Sequence, residues 1–232
     1  MTSDHKSQTY SIRLLNPDRL RPIRSIRDYI FNLMVVIQEF EYNQDVATYE
    51  SIMEYVRRCT TTDCQETNVD CLFVPSMKRM TIVSRDQIQS FAFPYTLSAQ
   101  SGYLLAETNN GVITNKIASM VIKFLNDYYD NDIDTIAFCM DEIGTDSVAL
   151  KADVDTAVDA IVTAIRIDAS YFRQDHDEQH EDEHGLHPLN HLDIFYSDVT
   201  SIKFGLVEFL DAAQFHNMIS KATKAYYVKT TF

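Results

Sequence analysis

The chain has 232 residues, 45% of them apolar, and a net charge of −14. That is enough for one cored domain with an appendage, or for two small domains. The acid excess argues against indiscriminate nucleic-acid binding, and no run approaches the ~20 apolar residues a membrane-spanning helix needs.

The first 24 residues read as an arm. Residues 1–9 are polar. Arg13, Arg19, Arg21, Arg24 and Arg27 then crowd a stretch where Pro17 and Pro22 forbid an uninterrupted helix. Ser25 is placed to cap the next helix, with Asp28 three residues on as its acidic partner. Tyr29, Ile30, Leu33, Met34 and Ile37 follow helical spacing. A second helix is predicted over residues 45–58, with Tyr49, Ile52, Met53 and Val56 on one face. Residues 71–74 and 80–83 read as two short strands about Pro75-Ser76. Residues 90–111, with Pro94, Gly102 and Asn109-Asn110-Gly111, read as loop with a brief apolar element. Further helices are predicted over 112–129, 133–143 (short) and 146–171 (long). Beyond them, Ile194-Phe195 reads as extended, and 201–210 and 212–228 as helical.

Five Gly and five Pro are few for this length, which favours long helices over a many-stranded sheet. The expected fold is mainly α: an antiparallel up-down four-helix bundle over residues 25–173 with a small β element. An acidic, His-rich linker (174–191) and a C-terminal annex (192–232) follow. The charge agrees with this division. Residues 1–90 hold 11 Lys+Arg against 12 Asp+Glu, and residues 91–232 hold 9 against 22.

Recognisable catalytic spacing is missing, and a non-enzymatic protein is expected. Asp141-Glu142 are adjacent and do not face each other on a helix. Cys139 lies in an apolar run and reads as a buried thiol. Cys59, Cys64, Cys71 and Cys139 form no CxxC pair and read as free thiols. His176, His180 and His184 stand at i, i+4 and i+8, the spacing of one helix face, and are the metal candidates. Their surroundings lack apolar residues to bury a second shell, so a solvated linker and no cofactor is the expectation. Arg85, Lys116 and Lys123 would add to a basic track if a bundle brought them together.

One segment carries a family resemblance. Val154-Asp155-Thr156-Ala157-Val158-Asp159-Ala160, or alternatively Asp146-Ser147-Val148-Ala149, opens the last long helix, and Ser170-Tyr171-Phe172-Arg173 closes it. This pattern resembles the coat proteins of rod-shaped plant RNA viruses, of the tobamovirus and tobravirus kind. The resemblance implies a helical-capsid subunit that assembles with itself around single-stranded RNA, in the virion and the host cytoplasm. It places Lys151 near the family's RNA-contacting arginines. It places Asp146, Asp155, Arg166, Tyr171 and Arg173 at the subunit interface or in its support. Carboxylates meeting between subunits would repel at neutral pH, with Ca²⁺ as a possible ligand there. The alternative reading is an acidic helical protein-interaction module that binds no RNA.

Overall fold

The computed structural model describes residues 8–43, 46–61, 68–100, 102–127, 148–167, 170–179, 188–197 and 200–220. Its centre is an eight-stranded antiparallel sheet. In spatial order the strands are β11 (Thr200–Leu206), β10 (Asn190–Ser197), β9 (Tyr171–His176), β5 (Gln87–Ala92), β4 (Arg79–Val83), β3 (Asp70–Val74), β1 (Thr9–Arg13) and β2 (Ala47–Tyr49). A second sheet holds β6 (Thr96–Gln100), β7 (Tyr103–Thr108) and β8 (Gly111–Val112). Five helices are described: α1 (Ile26–Phe40), α2 (Ile52–Thr61), α3 (Asn115–Asp127), α4 (Val148–Ile165) and α5 (Ala212–Ile219).

Both faces of the large sheet are covered. Because successive strand residues point to opposite faces, Cys71, Phe73, Met80, Ile82 and Phe91 pack with α1, α3 and α4. Leu72, Ile88 and Leu192 pack with Tyr55 of α2 and with Ala212 and Phe215 of α5. On the first face an aromatic chain ties helix to sheet. Tyr29 meets Phe91 edge-on at 5.9 Å and donates to the Ala92 carbonyl at 3.0 Å. Phe40, Phe73, Phe93 and Tyr95 form a second series at centroid spacings of 5.2–5.5 Å. The Tyr95 hydroxyl then donates to the Ala160 carbonyl. Ala157, Ala160 and Ala164 on the buried face of α4 leave room for that contact.

Several local expectations hold. The Ser25 hydroxyl accepts from the Asp28 amide at 3.2 Å and donates to its carboxylate at 3.0 Å, as a cap should. The strands about Pro75-Ser76 form, and Ile194-Phe195 is part of β10.

The four-helix bundle does not form, and the architecture is a sheet between helices. The third helix begins at Asn115, after strand β8 has taken residue 112. The fourth runs only to Ile165 and does not reach Tyr171. Ser170 then takes a left-handed conformation (φ 41°), its carbonyl held by Arg79 Nη2 at 2.6 Å, and the chain enters strand β9. Residues 96–100 and 103–108, read as loop, are strands, and residues 201–206, read as helix, belong to β11. Few turn-formers did not prevent a large sheet, because helices and long segments make several of its connections. Residues 133–143 lie outside the described residues.

Candidate binding site

Between β1 and α1 a strap of residues 14–25 crosses one end of the first face, with a single 3₁₀ turn at Pro17–Arg19. Three polar residues buried on α1 pin it. Asn32 accepts from the Arg21 amide at 2.9 Å and donates to the Arg21 carbonyl at 2.8 Å. Gln38 accepts from the Arg19 guanidinium at 2.6 Å. Glu39 accepts from the Leu15 amide and from the Asn16 side chain. These contacts account for polar side chains in a helix packed on a core.

Under the strap lies a pocket of about 480 Å³. Pro17, Leu20 and Pro22 line it from the strap, and Gln87, Gln89, Tyr171 and Arg173 from the sheet. The register explains this polar floor. Gln89, Arg173, Asp193 and Lys203 stand opposite one another across β5, β9, β10 and β11. Two residues along, on the same face, stand Gln87, Asp175, His191 and Gly205. Arg173 donates to Asp175 at 2.6 Å and to Asp193 at 2.8 Å. Gln87 Nε2 donates to the other Asp175 oxygen at 2.7 Å. The Tyr171 hydroxyl donates to Gln89 Oε1 at 3.3 Å. Burial pushes the Tyr171 hydroxyl up to about 12, with Arg173 pulling the other way. Burial also works against the Arg173 charge, yet Tyr171 and the two carboxylates hold its pKa above the ordinary arginine value.

Asp175, His191 and Asp193 each bring a ligand-type atom within 4.8 Å of the others. The donor set does not fit a resident divalent ion. Arg173 already bonds both carboxylates, and Lys203 Nζ donates to Asp193 Oδ2 at 3.3 Å and lies 3.2 Å from Oδ1. Two cations thus neutralise two carboxylates, and an entering ion would sit against a guanidinium. His191 is wedged alongside, with Nε2 3.4 Å from Asp175 and Nδ1 3.3 Å from the Pro188 carbonyl.

A second polar cluster lies on the other face. His216 Nε2 is 2.7 Å from Thr81 Oγ1, which bonds Ser90 Oγ at 2.9 Å, and Arg79 Nε donates to the same Ser90 oxygen. His216 is 3% exposed and Thr81 is fully buried. Burial, helped by the Arg79 charge, lowers the His216 pKa to about 4, so the ring is neutral. The hydroxyl–imidazole pair docks α5 on the sheet, and His216 also lines a pocket of about 300 Å³ with Ile52, Val74 and Met77.

The residues singled out from sequence scatter. Lys116 of α3 pairs with Asp153 of α4, close to Lys151, while Lys123 is exposed further along α3. Arg85 lies in the β4–β5 turn beside Asp86. Asp155 and Arg166 are exposed, on α4 and just after it. Tyr171 and Arg173 sit on strand β9 and not at a helix end. Asp146, His180 and His184 lie outside the described residues. His176 ends β9 and bonds Asn190 at 2.7 Å, which together with Glu178 raises its pKa. Reading by sequence missed Gln87, Gln89, Asp193, Lys203 and His216. The i, i+2 spacing of Gln87 and Gln89, and of His191 and Asp193, was the available strand signal. Comparison with protein-family models, with curated proteins and with solved structures finds no match to this chain.

Proposed function

We propose that this protein is an interaction module that binds a protein partner, without RNA, in the pocket between the strap and strands β4, β5 and β9. One observation carries the reading. Gln89 and Arg173 are anchored from behind, yet both keep hydrogen-bonding capacity beyond their internal partners. Gln89 is 7% exposed and its Nε2 bonds no described residue; that exposure lies in the pocket it lines. Arg173 spends Nε and Nη2 on the two aspartates and lines the same pocket. Pre-oriented polar groups set among apolar walls are what a specific binding site requires. The clusters with catalytic residue types support the same reading. Arg173 and Lys203 neutralise one of them, and in the other the His216 ring is engaged by a fully buried Thr81.

The test is a random-peptide display selection on the intact protein, with calorimetry of the enriched peptides. Ser84 lines the pocket from the β4–β5 turn, where its hydroxyl donates to the Gln87 carbonyl. The variant Ser84→Tyr plugs the pocket and is expected to weaken binding at least tenfold. Failure to enrich any peptide, or peptides that bind wild type and Ser84→Tyr equally, overturns the reading.

A further inference from the structure

We infer that the pocket under the strap recognises a neutral carboxamide, an Asn or Gln side chain of the partner; this rests on the interaction reading above. Charge is the first ground. The Arg173 charge is matched from behind by Asp175 and Asp193, and Lys203 balances the second of these. On the strap side the pocket has one residue of each sign, Asp18 and Arg21. The Arg21 guanidinium is turned away, 3.5 Å over the Phe31 ring and bonded to Asn126. An anionic ligand would therefore meet Asp18 and the carboxylates behind Arg173, and a cationic one would meet Arg173 itself. A neutral group meets no such opposition and avoids the cost of stripping a full charge of water.

The hydrogen-bonding pattern is the second ground. Gln87 gives its Nε2 to the Asp175 carboxylate, which accepts only, so its Oε1 is left as an acceptor. The Tyr171 hydroxyl donates to Gln89 Oε1, and Gln89 Nε2 is left as a donor. The floor thus offers a donor at Gln89, reinforced by Arg173, and an acceptor at Gln87, two residues apart on one strand and one face. That separation is roughly 6.8 Å along a strand. It is spanned by two hydrogen bonds of about 2.9 Å with a carboxamide between them. The ligand oxygen would face Gln89 and Arg173, and its NH₂ would face Gln87. A carboxylate of the same shape has no proton for Gln87, and an ammonium has no acceptor for Gln89.

Three probes on one scaffold test this: the N-acetyl methylamides of glutamine, glutamate and lysine. They are titrated into the ¹⁵N-labelled full chain while the side-chain NH₂ signals of Gln87 and Gln89 are followed, assigned with Gln87→Met and Gln89→Met. The glutamine probe is expected to shift both signals and to saturate at a concentration at least fivefold below the other two. Each Met variant is expected to abolish that preference. If the glutamate or lysine probe saturates first, or equally, the carboxamide inference fails while the pocket remains a binding site. If no probe shifts the signals but displayed peptides still depend on Ser84, only this inference fails. If neither probes nor peptides engage the pocket, both readings fail.

Discussion

Arg173 stands directly opposite Asp193 on the neighbouring strand and closes on its carboxylate at 2.8 Å, although Asp193 is only 1% exposed. The same guanidinium holds Asp175 two residues along its own strand. One side chain therefore pairs with two carboxylates, closes off the grouping that looks metal-like, and lines the pocket. Arg173 links the stability of the β9–β10 pair to the chemistry of the candidate site.

Removing that link should be costly in a particular way. Arg173→Met leaves Asp193 buried with only Lys203 beside it, and a broken buried pair typically costs 3–5 kcal/mol. Because Lys203 remains, the expected loss is about 3 kcal/mol in urea unfolding. Adding Asp175→Asn and Asp193→Leu removes the stranded charges and should recover most of that loss. An Arg173→Met protein within about 0.5 kcal/mol of wild type would show that the network is not holding the strands together.

His216 should give the protein a defined acid sensitivity. Its pKa is about 4 in the fold against 6.5 ordinarily, so the unfolded chain takes up a proton first as pH falls. The contribution is complete above pH 6.5 and is lost progressively between 6.5 and 4. The displacement corresponds to about 3 kcal/mol over that window. Unfolding curves of wild type and His216→Gln at pH 7 and pH 4.5 check it. The difference between the two proteins should shrink by most of that amount on acidification. A difference that stays constant with pH would mean that the imidazole is not neutral and buried.

The elements legible in the sequence were those whose signals are local. The Ser25–Asp28 cap and the strands about Pro75 need only neighbours along the chain. Strand β9 was not legible, because its stability comes from partners far away in sequence. Arg173, Gln174 and Asp175 sit in an interior strand, where charged and amide side chains are ordinarily disfavoured. They are satisfied there by Asp193, by the Leu210 backbone and by Gln87. The apolar period of α4 gives no sign of its end, which coincides with a stretch closed by the left-handed turn at Ser170. Of the candidate site, Tyr171 and Arg173 were singled out for a resemblance that placed them at a helix end. Their real setting follows from strand register, which a single sequence does not display. Gln87 and Gln89 were hidden because amides at i, i+2 resemble an exposed strand face until something covers them.

A side chain at Gly205 is predicted to displace Pro188. A Cβ built there would lie 3.2 Å from Pro188 Cγ, and the Pro188 carbonyl faces His191 Nδ1. Gly205→Ala should push Pro188 outward, cost about 1–2 kcal/mol, and shift the His191 ring resonances. Gly205→Val should do more of both. Unchanged ring resonances in Gly205→Val would show that Pro188 yields without disturbing His191.

The strap should depend on Asn32 more than on any apolar contact it makes. Asn32 is fully buried and bonds both the amide and the carbonyl of Arg21, so it replaces a strand partner that the strap lacks. Asn32→Leu has similar bulk but leaves both backbone groups unpaired, at a cost of about 1–3 kcal/mol for each group that stays buried. The strap can escape that penalty by lifting into water, so the damage should be local. Amide exchange at Arg21 and neighbouring strap positions should accelerate at least tenfold in the variant, while β3, β4 and β5 keep their protection. Protease cleavage should appear within residues 14–25 for the same reason. Equal acceleration throughout the sheet would instead mean that the strap is part of the cooperative core, and the pocket beneath it could not open without unfolding.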